Sequence, residues 1–160
     1  MTGPDTLPPR SRIVHDRLAE AGIDARIVVL PDSARTAALA AAAIGCPVGA
    51  IANSLVLLAD DEPVLVMTSG AHRVDFAVLA EQLGADAVEM APPAIVRGST
   101  GQVIGGVAPV GHPAPLPTYV DAQLREFDEV WTAGGTPDTV MPLTFAQLVD
   151  VTGGRIVRVA

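Results

Sequence analysis

Two apolar runs, Ala50 to Ala59 and Pro63 to Thr68, flank the short acidic segment Asp60-Asp61-Glu62 near the middle of this 160-residue chain. Two strand-like runs joined by so few polar residues read as a β-hairpin. A hairpin is an antiparallel pair, whereas neighbouring parallel strands need a long crossover between them. The hairpin therefore argues against a purely parallel, doubly wound sheet. The expected fold is α/β (α+β): one compact domain with a mixed sheet and helices packed around it.

The flanking sequence fills in that scheme. Ile13, Val14, Arg17, Leu18 and Ala21 mark an amphipathic helix from Arg10 to Ala21, stopped by Gly22. Ala25 to Leu30 reads as a strand ended by Pro31. Ser33 is the expected N-cap of an alanine-rich helix reaching Ile44, with Gly45 beyond it. Asp75 caps a helix through Leu83, and Ala87 to Met90 is a short strand. Pro92-Pro93 opens a helix ending before Gly98. Pro117 to Val120 and Glu129 to Thr132 read as strands, with a helical turn over Asp121 to Phe127. Thr144 caps a last helix through Val151, before a strand from Arg155 to Val159. The proline-bearing start, residues 1–10, reads as a flexible leader, and residues 11–160 as the domain.

Composition narrows the chemistry. The formal charge of -8 argues against a broad, sequence-independent grip on nucleic acid, which depends on neutralising phosphates. A nucleic acid is still accommodated if only a small single-stranded end is held. There is no lysine, so no mechanism can use a lysine amine. The single Cys46 follows an apolar run and reads as a buried spectator thiol. The start of the chain has no apolar signal segment, and the longest apolar run, Ala37 to Ile44, falls far short of the ~20 residues that span a bilayer. The expected location is the cytoplasm.

Familiar catalytic motifs are missing. His15, His72 and His112 have no metal-ligand spacing; His15 reads as a surface residue, and His72 and His112 follow glycine-containing turns from which they would line a cleft. There is no GxSxG elbow, and GSTGQVIGG lacks the lysine of a phosphate-binding P-loop. What stands out is the segment Gly98 to Gly111, with five glycines in fourteen residues. Glycine lets the main chain approach a ligand and exposes its amides. A loop of Gly101, Gly105, Gly106 and Gly111, stiffened by Pro109, reads either as an anion nest or oxyanion hole or as a series of ordinary tight turns. Ser69-Gly70 and Gly134-Gly135 follow apolar strands and would supply further walls.

The run VEMAPPAIVRGSTGQVIGGVAPVGHPAPLPTYVD, from Val88 to Asp121, resembles the YbaK and prolyl-tRNA editing-domain family. Gly105-x-x-x-Pro109 matches that family's glycine–proline loop. VLVMTSGAHRVDFAVLAEQLGA, from Val64, and WTAGG, from Trp131, match in the same order, so the resemblance covers roughly Ile13 to Gly153. It implies an aminoacyl-tRNA deacylase that removes a small, wrongly attached amino acid in trans, with no metal or organic cofactor. The implied partners are the tRNA acceptor end and an aminoacyl-tRNA synthetase, with no membrane. The implied pocket comprises Gly105 to Pro109, Asn53 and Gly134-Gly135. Within it the amides of Gly105, Gly106, Val107 and Ala108 would face the ester carbonyl, and a substrate hydroxyl or thiol would orient or replace water. Ser69, Gly70, Gly101 and His112 are further expected substrate contacts. At Asn53 the family usually has lysine, so a charged anchor is replaced by a neutral amide. A catalytically impaired member that binds a tRNA 3′ end, a nucleotide-like ligand or a synthetase is the alternative.

Overall fold

The computed structural model describes residues 7–31 and 36–160. Five α-helices are present among them: α1 (Pro9–Glu20), α2 (Ala37–Ile44), α3 (Phe76–Leu83), α4 (Pro93–Thr100) and α5 (Phe145–Thr152). The strands are β1 (Val28–Val29), β2 (Ile51–Ala59), β3 (Glu62–Ser69), β4 (Val88–Met90), β5 (Thr118–Asp121), β6 (Val130–Ala133), β7 (Thr139–Leu143) and β8 (Arg155–Val157). They form one mixed sheet in the order β1-β7-β6-β2-β3-β5-β8, with β4 paired to β2.

The hairpin that decides the fold class is β2–β3, and it is tighter than its sequence suggests. Ala59 pairs with Glu62, so the turn is Asp60-Asp61 alone. Both residues have positive φ, +49° and +68°, as a two-residue turn matching strand twist requires. Asp61 is exposed, but the Asp60 carboxylate accepts the amides of Asp86 and Ala87 at 3.0 and 2.9 Å. That side chain therefore ties the turn to the start of β4.

Helix ends follow the capping rules, with two shifts. Asp75 Oδ1 accepts the amides of Ala77 and Val78, and Thr144 forms a reciprocal capping box with Gln147. The cap of α2 is Thr36, whose hydroxyl accepts the Leu39 amide at 3.1 Å; Ser33, the expected cap, lies outside the described residues. Helix α4 runs through Gly98 and stops at Gly101, which has φ +71°. Buried Val96 and Thr100 anchor it on either side of Gly98, and that packing outweighs the ~1 kcal/mol a mid-helix glycine costs. The expected strand over Ala25 to Leu30 shrinks to Val28–Val29, the only two residues that pair with β7.

The two faces of the sheet are covered differently. One face meets the main core, which includes Val14 and Leu18 of α1, Val96 of α4 and Leu148 of α5. Leu7, within the expected leader, joins this core, and α1 begins at Pro9; residues 1–6 lie outside those described. The opposite face carries two smaller cores. Ala40 and Ala41 of α2 pack with Ile51, and Leu79 of α3 packs with Leu57, Val64 and Val66. No helix among the described residues is long and apolar enough to cross a membrane.

Candidate active site

A notch in the sheet makes the site. Strand β3 pairs with β2 along one edge, from Ala52 to Ala59. On the other edge β6 pairs only at Ile51 and Ala52, and β4 only from Leu57 to Ala59. Residues Asn53 to Val56 are left between two partner strands. At that gap lies a cavity of about 560 Å³, within the ~300–1,000 Å³ usual for small-molecule sites.

Strand period two sets one face of it, while Ala52 and Ser54, of the opposite parity, also line it at the gap. Ile51, Asn53 and Leu55 alternate along β2, Thr68 sits opposite Asn53, and Trp131 sits beside Ile51. All five line the cavity, as do Ala133 and Val140, which are partnered on β6 and β7. The two small cores lie on either side of this patch, under α2 and α3. The side chain of Asn53 is half-buried and has no hydrogen bond among the described residues, so its amide is available to a ligand. Phe76, Met90 and Ile104 also line the cavity and are exposed, giving it an apolar rim.

The glycine-rich segment closes one side. Val103 to Gly106 is a β-turn, closed by the Gly106 amide donating to the Val103 carbonyl at 2.9 Å. Gly105 occupies its third position with φ +86°, where a side chain is strained. The Ala108 amide donates to Gln102 Oε1 at 2.8 Å. Neither the Gly105 nor the Val107 amide has a partner among the described residues, and both residues line the cavity. Of these four amides two are spent on the loop's own shape, and two have no partner among the described residues.

His72 reaches the same cavity from the segment between β3 and α3. Its Nδ1–H donates to Asp121 Oδ2 at 2.8 Å. Asp121 is 1% exposed, and it also accepts the amides of Ser69 at Oδ2 and Gln123 at Oδ1. The bond fixes the proton of neutral His72 on Nδ1 and leaves Nε2 as an acceptor. Among the described residues no group of three His, Cys, Asp or Glu side chains is placed to hold a metal.

A family model described as the aminoacyl-tRNA editing domain matches residues 31–151. The chain belongs to that family. A solved structure described as a candidate trans-editing enzyme for prolyl tRNA synthetase superposes with a TM-score of 0.90 and 40% identity, covering 96% of this chain and 98% of that one. A protein of Enterococcus faecalis, named a candidate Cys-tRNA(Pro)/Cys-tRNA(Cys) deacylase, is 26% identical over 121 residues, 70% of this chain and 74% of its own. The proline–tRNA ligase of Nitratidesulfovibrio vulgaris is 32% identical over 91 residues, 57% of this chain. The match spans only 16% of that ligase.

Within this editing domain the expected site residues separate into three groups. Asn53, Gly105 and Val107 line the cavity. Pro109 and His112 line a different hollow of about 500 Å³, together with Arg17 and Glu20 of α1. There the His112 Nε2–H donates to the Ala108 carbonyl at 2.8 Å, and burial holds the imidazole pKa below its ordinary value despite that bond. The remaining residues line neither. Gly101 caps α4, and Ser69 is fully buried with its hydroxyl donating to the Gly49 carbonyl at 2.7 Å. Gly70 lies against the Val48 carbonyl, and the Gly70 amide donates to Ile51. Gly106 has main chain of Thr136 2.6 Å from where a Cβ would lie. Gly134 packs on Ile27 and Thr139, and Gly135 on Arg10. These glycines are needed for close approach of chain to chain. With both their amides engaged, Gly106 and Ala108 are not available to a carbonyl.

Outside the expected set, Thr68, Arg73, Trp131 and Thr132 line the cavity. The period-two reading of β2, β3 and β6 carried enough signal to find Thr68 and Trp131, had the pairing been known. Cys46 is half-buried against the core under α2, and burial raises its thiol pKa, which disfavours the reactive thiolate. His15, expected at the surface, is half-buried, with Nδ1 3.3 Å from Asp16 Oδ1.

Proposed function

We propose that this editing domain hydrolyses the ester linking a small amino acid to the 3′ end of a mischarged tRNA. The supporting observation is the juxtaposition, around one cavity, of two unspent amides, a carboxylate-held histidine and an uncharged donor. An aminoacyl ester is already activated, so the protein needs to position it and to stabilise the negative charge that develops on the carbonyl oxygen. The amides of Gly105 and Val107 receive that oxygen. A water attacks the carbonyl carbon, and His72 Nε2 takes its proton. The bond from carbonyl carbon to ribose oxygen then breaks, and the same proton passes to the ribose oxygen. Free amino acid and a tRNA with an intact terminal hydroxyl leave.

Asn53 and Thr68 bind polar groups of the aminoacyl-adenosine, and the apolar rim of Phe76, Met90 and Ile104 receives its base. Size sets selectivity, because one methylene is worth only ~1–3 kcal/mol and a second, smaller sieve is needed. The net charge of -8 suits a domain that holds only the acceptor end. Action in trans beside a synthetase fits the near-complete overlap with the trans-editing candidate.

Incubating the pure protein with a panel of mischarged tRNAs tests this reading. At least one small aminoacyl ester should disappear well above the rate in buffer. If none does while tRNA still binds, the chain is a binding module and not a hydrolase.

A further inference from the structure

The substrate proposed above is a polyanion, yet the chain has 18 acidic residues against ten arginines and no lysine. Where a phosphate can approach such a molecule is decided by local charge. Among the described residues no aspartate or glutamate lines the cavity at the β2 notch, and the ionisable side chains that do are His72 and Arg73. Asp121 lies behind His72 and already accepts three hydrogen bonds. Asp75, two residues beyond Arg73, is occupied in capping α3. Arg73 itself is exposed and has no ion-pair partner among the described residues, whereas Arg26 is paired with Glu129 at 2.8 Å. A permanently charged, planar donor without a carboxylate to satisfy it is matched to phosphate oxygens.

We infer that Arg73 is the phosphate anchor of the site, binding the internucleotide phosphate beside the terminal nucleotide while Asn53, which lines the same cavity, makes only neutral contacts. This rests on the deacylase reading and assigns the charge that reading needs. Arg73 is a binding residue: it holds the acceptor end at the rim and takes no part in proton transfer.

The test compares wild type, Arg73→Gln, Arg73→Lys and the double variant Arg73→Gln with Asn53→Lys. Two substrates are used, an aminoacyl-tRNA and an aminoacyl ester of adenosine that has no phosphate; the Kd of an uncharged acceptor-stem hairpin is measured beside them. Loss of one charge-assisted contact corresponds to about a tenfold or greater change. Arg73→Gln should raise KM for aminoacyl-tRNA and Kd for the hairpin by about that factor, with a much smaller change on the adenosine ester. The slope of log Kd against log salt should become shallower by about 0.7, the value for one single-strand phosphate contact. Lysine at 73 should recover part of the loss, and lysine at 53 should recover part of it from another position in the same cavity. Equal losses on both substrates, or an unchanged hairpin Kd and salt slope, would overturn the inference. If wild type hydrolyses neither substrate, the deacylase reading falls, and the hairpin Kd still decides the role of Arg73.

Discussion

The Nδ1 of His72 lies 2.8 Å from Oδ2 of Asp121, a carboxylate with 1% of its surface exposed. The pair joins a cavity-lining imidazole to the end of β5. Asp121 accepts three donors through two oxygens, so the imidazole is held by a group that is itself fixed. Replacing His72 by Gln should lower kcat for ester hydrolysis about 100-fold, the usual scale for a positioned general base, and leave the melting temperature nearly unchanged. Asp121→Asn should lower both activity and melting temperature, because a single amide oxygen cannot satisfy all three donors.

Gly105 and Gly106 are neighbours with different duties. A methyl group on Gly106 would meet the main chain of Thr136 at 2.6 Å and Pro137 at 2.7 Å. Gly106→Ala should therefore destabilise the domain by about 1–3 kcal/mol, the cost of overpacking. At Gly105 only Pro137, 4.0 Å away, approaches the Cβ position, and the constraint is φ +86°. Gly105→Ala should cost about 1–2 kcal/mol of stability. Its larger effect should fall on kcat, since the turn that presents the free amides is strained. Denaturant midpoints and single-turnover rates on both variants separate the two effects.

His112 gives the stability of the fold a pH dependence. Burial lowers its pKa, and the bond to the Ala108 carbonyl only partly opposes that. The unfolded chain therefore binds this proton more readily than the folded one, and stability rises with pH across the interval between the two pKa values. The contribution is complete above the ordinary histidine value of 6.5 and is lost as pH falls below it. Thermal melts from about pH 7.5 to about pH 5.5 should show a falling midpoint, and His112→Gln should flatten that interval.

Asn53 is half-buried and its side chain has no partner among the described residues, so little of the fold depends on it. Asn53→Ala should change stability by no more than about 0.5 kcal/mol. It should weaken hydrolysis about three- to tenfold, as loss of one neutral hydrogen bond to the substrate does. A larger stability change, measured by chemical denaturation, would mean that Asn53 serves the sheet and not the cavity.

Much of the fold was legible because its signals are local. The β2–β3 hairpin, the Asp75 and Thr144 caps and the glycine stop at 45 each depend on residues close in sequence. Strand β7 was missed because Pro142 demotes Thr139–Leu143 as a strand; it is tolerated where only β6 flanks β7, since β1 pairs no further than Val140. The site was legible in part. Of the residues expected from sequence, Asn53, Gly105 and Val107 line the cavity, whereas the notch depends on where β4 and β6 stop pairing with β2, a long-range fact without a local signature. For the same reason sequence marks a close approach of the backbone at glycines 70, 106, 134 and 135 but not that other parts of the chain are what approach them.

A crystal structure with a non-hydrolysable amide analogue of a small aminoacyl-adenosine tests the central claim most directly. The analogue's carbonyl oxygen should lie about 2.7–3.1 Å from the amide nitrogens of Gly105 and Val107, with His72 Nε2 facing the carbonyl carbon through one water. A carbonyl seated anywhere else, with those two amides still unoccupied, would contradict the account.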